Sequence, residues 1–198
     1  MTLAERLRVA LAAGQAAGPI LLNGDYHDFD PDVARSPAAV LVAVTDRLEP
    51  GVILTRRNES LRNHAGQIAF PGGRIDPEDD GPVGAALREA EEEIGLPRDQ
   101  VEIVGLGDHY STITGYDVMP VVGVVAPDLR YVAHEAEVAD VFEVPLAFLL
   151  DQNNHVEATT EWEGRERHYF EINWEGRLIW GATAAMIVNL SRRLQWTA

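Results

Sequence analysis

The sequence FPGGRIDPEDDGPVGAALREAEEEIGL, residues 70–96, contains the signals that decide the fold. Gly72 and Gly73 end a strand-like segment, at a place where the backbone can approach another group closely. Pro82 stands where the first turn of a helix accepts proline, and Gly95 suits the position just after the last helical residue. The candidates for the helix N-cap are Asp79, Asp80 and Gly81. The stretch therefore predicts a strand, a glycine turn and a helix that ends before Gly95.

The predicted helix has one apolar face and one acidic face. At about 100° per residue, the apolar arc contains Val83, Ala86, Leu87, Ala90 and Ile94. Glu89, Glu92 and Glu93 share a second arc, whereas Glu91 points elsewhere. The three carboxylates repel one another and lie in the helix half where the macrodipole disfavours anions. A bound Mg²⁺ or Mn²⁺ would compensate, because hard cations prefer oxygen ligands, and Arg88 can pair with Glu92 and orient it.

An acidic run is by itself more often a solvated helix face than a site. The adjacent glycine pair and a cluster of arginines favour a functional site here. That cluster consists of Arg56, Arg57, Arg62 and Arg74. Metal ions and local arginines allow an acidic protein to bind an anionic ligand, so polyphosphate substrates fit this sequence.

The rest of the sequence predicts a mixed α/β domain. Residues 38–45 (AAVLVAVT) and 51–57 (GVILTRR) are typical of paired strands. Further strand-like segments lie at Val101–Leu106, Met119–Val125 and His168–Ile172, and helical ones at Leu146–Leu150 and Ala182–Leu194. We expect a single domain, with an N-terminal helix and extended lead-in over residues 1–37 and the main body over 38–198.

Composition narrows the possible functions of the 198 residues. There is no cysteine, which excludes disulfides and cysteine-based zinc sites. A formal charge of −16 argues against broad capture of nucleic acid, which needs a basic surface. No apolar run approaches the length of a membrane span. We therefore expect no nucleic acid, no membrane partner and a cytoplasmic location.

Gly73 and the run Arg88–Leu96 resemble the Nudix box, G-x5-E-x7-R-E-U-x-E-E-x-G-U with U aliphatic. Asp80 holds the place of the first glutamate, with six residues after Gly73 instead of five. The resemblance implies a Nudix-type α/β/α sandwich with a central mixed β-sheet. It also implies that Glu89, Glu92 and Glu93 are metal ligands and that Arg88 orients them.

A second resemblance covers residues 53–73. They are similar to the signature LLTxR(S/A)x3Rx3Gx3FPGG of the coenzyme A pyrophosphatase branch, and depart from it at Ile53 and at Asn58, where Ser or Ala is usual. This resemblance implies metal-dependent hydrolysis of the diphosphate of coenzyme A or acyl-CoA. The products would be adenosine 3′,5′-bisphosphate and (acyl) 4′-phosphopantetheine. It also favours a homodimer.

The chemistry of phosphoanhydride hydrolysis suggests a role for each remaining candidate. Arg57 and Arg62 could bind phosphate as bidentate donors, and Gly72 and Gly73 could bring main-chain groups to the substrate. A carboxylate must help to position the attacking water. The catalytic candidates are Glu92 and Glu137, the latter on a loop before a predicted helix. Two alternatives stay open: a hydrolase of ADP-ribose or another nucleoside diphosphate derivative, and a non-catalytic nucleotide-sensing module.

Overall fold

A computed structural model describes residues 1–18, 22, 24, 34–162 and 165–195. Part of the lead-in expected within residues 1–37 therefore lies outside the described residues. The helices are α1 (Leu3–Ala16), α2 (Gly81–Ile94), α3 (Leu146–Leu150) and α4 (Gly181–Leu194). The strands are β1 (Ser36–Thr45), β2 (Gly51–Arg57), β3 (Ile68–Ala69), β4 (Gly72–Arg74), β5 (Val101–Leu106), β6 (Tyr110–Ser111), β7 (Tyr116–Val125), β8 (Val138–Pro145), β9 (Val156–Trp162), β10 (Arg165–Trp174) and β11 (Arg177–Trp180).

The centre of the fold is a mixed sheet with the strand order β3-β2-β1-β7-β5. β1 and β7 run parallel and pair along their full length, from Ser36 with Tyr116 to Thr45 with Val125. β4 pairs antiparallel with β1, and β8 pairs antiparallel with β2. The predicted pairing of β1 with β2 is confirmed through Val44 and Val52. β9, β10 and β11 form a second, three-stranded antiparallel sheet.

Helices cover both faces of the central sheet. β1 shows the cause, because successive side chains of a strand point to opposite faces. Its residues Ala39, Leu41 and Ala43 belong to the core under α2. Residues Ala38, Val42 and Val44 belong to the core shared with α1 and α4. This arrangement confirms the predicted α/β/α sandwich. No helix within the described ranges is long and apolar enough to cross a membrane.

The structure corrects one sequence prediction about a site residue. Glu137 precedes a strand, β8, and not a helix; α3 begins only at Leu146. The strand is formed by pairing with β2, from Gly51 with Pro145 to Arg57 with Val138. Such pairing between distant segments overrides local preference, so it leaves little trace in the sequence around Glu137 itself.

Candidate active site

The Glu93 side chain extends from α2 toward the glycine turn at Gly72 and Gly73 and is buried there, with 6% of it exposed. The Gly72 N–H donates a hydrogen bond to Glu93 Oε2 at 3.1 Å, and Arg57 Nη1 lies 3.9 Å from Glu93 Oε1. Burial raises the pKa of Glu93 to about 7, although the Gly72 hydrogen bond and the Arg57 charge act against this rise. The described groups around Glu93 therefore stabilise its charge incompletely.

Gly72 and Gly73 fit where a side chain would not. A Cβ atom on Gly72 would lie 2.4 Å from Ala39 O, on the neighbouring strand β1. One on Gly73 would lie 2.5 Å from the Glu89 carboxyl carbon. The two glycines therefore let α2 and its carboxylates approach the sheet. Their role in binding substrate stays a prediction, and the Gly72 N–H is engaged by Glu93.

Arg88 is the centre of an ion-pair network that includes two of the three α2 carboxylates. Its Nε and Nη2 atoms donate to the two carboxyl oxygens of Asp79 at 3.0 and 2.9 Å. Its Nη1 atom donates to Glu89 at 2.9 Å and to Glu92 at 3.2 Å. The expected contact of Arg88 with Glu92 is present, and Asp79 is the residue that accepts two of these four bonds. The hydrogen bond from Arg88 is the main cause that lowers the pKa of Asp79.

The sequence offered Asp79 only as a candidate helix cap, because the resemblance to the Nudix box placed Asp80 at the first acidic position. Asp80 is exposed at the N-cap of α2, and its side chain makes no capping hydrogen bond. Asp79 is 5% exposed at its side chain and holds Arg88. The spacing contained the signal, because Asp79 follows Gly73 after the five residues that the box prescribes.

The carboxylates of α2 differ in their exposure. The exposed fraction of the side chain is 17% for Glu89 and 59% for Glu92. Burial raises the pKa of Glu89, and its contact with Arg88 opposes that shift. Glu91 points away, as expected, and pairs with Arg98 at 2.7 Å. Glu89 and Glu93 are thus two partly desolvated carboxylates on the same side of the helix.

The glutamates of α2 fit a hard divalent cation, both in the type of their donor atoms and in their electrostatic state. The donor atoms are carboxylate oxygens, which Mg²⁺ and Mn²⁺ prefer. The raised pKa values of Glu89 and Glu93 show charges that their surroundings leave incompletely stabilised. Within the described ranges, no three carboxylate or imidazole side chains converge closely enough to hold an ion. Glu92 would have to release its hydrogen bond from Arg88 before it could bind a cation together with Glu89 and Glu93.

Glu137 lies near this group, on the turn before β8. Its negative charge contributes to raising the pKa of both Glu89 and Glu93. The turn is fastened to the end of α2, because the His134 N–H donates to the Glu93 carbonyl oxygen at 2.9 Å. About half of the Glu137 side chain is exposed. The fold thus brings a further carboxylate to the α2 carboxylates while leaving it accessible to water.

The arginines of β2 point to opposite faces of the sheet. Arg57 shares the α2 face with Ile53, which explains its approach to Glu93. Arg56 shares the other face with Leu54, and its Nη1 lies 3.7 Å from Glu59. Arg62 is exposed on the segment between β2 and β3. Of the two predicted phosphate-binding arginines, Arg57 is therefore the one that the structure brings to the carboxylates.

Comparison with known proteins identifies the family. Residues 35–178 match the NUDIX domain. The chain belongs to the Nudix family. It is 42% identical over 170 residues to the Nudix hydrolase NudL of Shigella flexneri serotype 5b, covering 83% of this chain and 88% of the relative. NudL of Escherichia coli strain K12 / DH10B is 44% identical over 158 residues, covering 79% and 82%.

Solved structures of Nudix proteins share the fold. A Nudix hydrolase of M. smegmatis, RenU, superposes with a TM-score of 0.50 and 26% identity, over 60% of this chain and 75% of that one. A MutT/nudix family protein of Enterococcus faecalis gives a TM-score of 0.50 at 16% identity, over 84% and 63%, which shows the fold alone. Because the chain belongs to the Nudix family, it is a hydrolase of pyrophosphate bonds in small molecules, and enzymes of this family generally use divalent cations. The names of the relatives assign no substrate.

Proposed function

We propose that this Nudix hydrolase cleaves the diphosphate bond of coenzyme A, acyl-CoA or both, with Mg²⁺ or Mn²⁺ as its cation. The products are adenosine 3′,5′-bisphosphate and 4′-phosphopantetheine or its acylated form. The observation that carries the proposal is the meeting of two sequence signatures at Glu93. Arg57 and Gly72 come from the segment that resembles the coenzyme A branch, and both approach this glutamate of the Nudix box.

Each residue has a part in the proposed reaction. Glu89, Glu92 and Glu93 hold the cation, and Arg88 orients the first two through its hydrogen bonds. A bound divalent cation would neutralise the diphosphate and stabilise the leaving phosphate. Arg57 and Arg62 bind phosphate oxygens with their guanidinium groups. Gly72 and Gly73 bring main-chain groups to the diphosphate, since their lack of side chains already lets β1 and Glu89 pack close to this turn.

Glu137 and Glu92 are the proposed acceptors of the proton from the attacking water. Both are exposed by about half of their side chain or more, so water can reach them. Glu137 also comes from a segment separate from α2, and it can therefore act while the helix carboxylates hold the cation. Replacement of Glu137 by Gln should lower kcat with little change in KM, and Glu92→Gln should also reduce cation affinity.

A substrate panel tests the proposal directly. The purified protein is incubated with Mg²⁺ or Mn²⁺ and coenzyme A, acetyl-CoA, ADP-ribose, NADH, a diadenosine polyphosphate or a nucleoside triphosphate. We expect the highest kcat/KM with coenzyme A or its acyl derivative and release of adenosine 3′,5′-bisphosphate. Preference for ADP-ribose or another nucleoside derivative would overturn the substrate assignment and leave the Nudix activity standing. Binding without turnover of any compound would favour the nucleotide-sensing alternative.

The neighbouring arginines of β2 give a matched control for the substrate site. Arg57→Ala should raise KM for the preferred diphosphate by about tenfold or more, because a desolvated charged hydrogen bond to phosphate is lost. Arg56→Ala removes the same charge from the opposite face of the strand and should leave KM close to that of the unchanged protein. Equal effects of the two replacements would show that the overall charge of β2, and not the position of Arg57, governs binding.

A further inference from the structure

Asn58, the residue after β2, connects two loops through hydrogen bonds of both polar side-chain atoms and of its backbone N–H. Its Nδ2 donates to the Glu135 carbonyl oxygen at 2.7 Å, and its backbone N–H donates to the Glu137 carbonyl oxygen at 2.8 Å. Its Oδ1 accepts from the Ser60 N–H at 2.9 Å. One asparagine therefore ties the loop that carries Arg62 to the turn that carries Glu137.

The turn at residues 134–137 is held from two sides. On one side the His134 N–H donates to the carbonyl oxygen of Glu93, at the end of α2. On the other side the turn is bonded to Asn58. Just before this residue, between Arg56 and Arg57, the register of β2 with β8 shifts. Such irregularities re-aim side chains at the ends of strands. Of these attachments, the bond from Asn58 Nδ2 to Glu135 is the one that depends on a side chain.

We infer that Asn58 is a positioning residue that holds the Glu137 carboxylate toward the α2 carboxylates. The inference rests on the proposed function, in which Glu137 accepts a proton from water. A serine or alanine, the residues expected here from the related signature, lacks an amide that can reach the Glu135 carbonyl. In this chain the turn at residues 134–137 is therefore held by a side-chain hydrogen bond that serine or alanine at position 58 could not form.

The position of a catalytic carboxylate affects turnover more than substrate binding. A general base must lie within hydrogen-bond reach of the water from which it takes the proton. Without the Asn58 amide, the backbone attachments at His134 and Asn58 remain, so the turn stays folded but samples more positions. Loss of one hydrogen bond of this kind should lower kcat by about tenfold and leave KM within about twofold.

Three single replacements test this. Asn58→Ser keeps a short acceptor for the Ser60 N–H and loses the bond to Glu135, and Asn58→Ala loses both. We expect the same tenfold loss of kcat in both variants. Asn154→Ser is the matched control, since Asn154 Nδ2 donates in the same way to the Phe148 carbonyl oxygen at 2.9 Å, in the short helix α3. It should lower the melting temperature as much as Asn58→Ser and leave kcat unchanged.

A double-mutant cycle with Glu137→Gln separates positioning from a general loss of structure. If Asn58 acts through Glu137, adding Asn58→Ser to the Glu137→Gln protein should reduce kcat no further. Hydrogen exchange gives a second measurement that does not need substrate. The N–H groups of Glu137 and Val138, both bonded to the His134 carbonyl oxygen, should exchange about tenfold faster in Asn58→Ser and unchanged in Asn154→Ser.

The outcomes are distinct. An inactive unmodified protein on every diphosphate would overturn the proposed function. An active protein whose Asn58→Ser variant keeps its kcat would overturn the positioning role alone. So would full activity in Asn58→Ser with loss in Asn58→Ala, because the Ser60 contact would then be the one that matters. A tenfold loss that persists in the Glu137→Gln background would equally contradict it.

Discussion

Asp79 and Glu93 are buried to nearly the same extent, but the pKa values of their carboxyl groups are shifted in opposite directions. Their side chains are 5% and 6% exposed. Asp79 receives two hydrogen bonds from Arg88 and one from the Asp76 N–H at 2.8 Å, and its pKa is lowered. Glu93 receives one hydrogen bond, from Gly72, with Arg57 more distant, and its pKa is raised.

The difference separates a carboxylate whose charge is compensated by Arg88 from one whose charge is compensated incompletely, in agreement with the proposed role of Glu93 in cation binding. Asp79 is neutralised within the chain and fixes Arg88, which in turn fixes Glu89 and Glu92. Glu93 is buried without sufficient compensation, an arrangement that costs stability. Perturbed carboxyl groups of this kind are concentrated at functional sites. The two residues therefore predict different consequences for activity and for stability.

The largest expected effect is on turnover in Glu93→Gln. The change removes a proposed cation ligand, so kcat with the preferred diphosphate should fall by about a thousandfold or more. The fold should persist, because the amide is nearly isosteric and avoids a buried charge. Steady-state kinetics and circular dichroism check this. Retained turnover at saturating Mg²⁺ would remove Glu93 from the ligand set and undo the contrast with Asp79.

The second effect is the pH dependence of stability without metal. The folded pKa of Glu93, about 7, lies above its ordinary value of 4.5, so the stabilisation present at low pH is lost as pH rises through about 7. Relative to Glu93→Gln, the unmodified protein should lose up to about 3 kcal/mol of unfolding free energy between pH 4.5 and 7.5. Urea titrations at several pH values measure it. A difference that does not change with pH would contradict the raised pKa.

The Asp79→Asn variant should show the opposite slope. A lowered folded pKa gives stabilisation above the ordinary value of 3.8 that is lost as pH falls through the folded value. At pH 7 we expect a loss of about 2 kcal/mol of unfolding free energy, because one partner of a hidden ion pair becomes neutral. Chemical denaturation at pH 7 and pH 3 is the test. A loss that is equally large at pH 3 would mean that the charge of Asp79 contributes little.

The smallest effect should come from Asp80→Asn, one residue further on. Asp80 is exposed and its side chain makes no capping bond, so the unfolding free energy should change by less than about 0.5 kcal/mol. This variant is the matched control for Asp79→Asn. If Asp80→Asn proves the more damaging of the two, the first acidic position of the box belongs to Asp80 after all.

Local signals in the sequence were sufficient for several elements, two of which carry site residues. β2, β5 and α3 have the predicted bounds, and α2 ends before Gly95, which has a φ of 65°. These features depend on residues close together in the chain, such as a run of β-branched side chains or a glycine cap. The shared arc of Glu89, Glu92 and Glu93 likewise followed from helix geometry alone.

Features that depend on distant segments were not predicted. The burial of Glu93 results from contact with the glycine turn and with Arg57, and the helix wheel had grouped it with the exposed Glu92. β8 was missed because it forms against β2. The choice between Asp79 and Asp80 required the position of Arg88 in space. Helical periodicity gives the direction of a side chain, but the neighbour that it meets is set by the tertiary fold.

The parallel pairing of β1 with β7 has a consequence for the order of folding. Its partners are about 80 residues apart in the chain, and non-local pairing of this kind is slow to form. Arg57, Gly72 and the three glutamates of α2 all lie inside the loop that this pairing closes. During synthesis, these residues leave the ribosome before β7 exists. We therefore expect the proposed cation site to be completed late in folding, so that a cation slows the unfolding of the finished protein rather than nucleating its assembly.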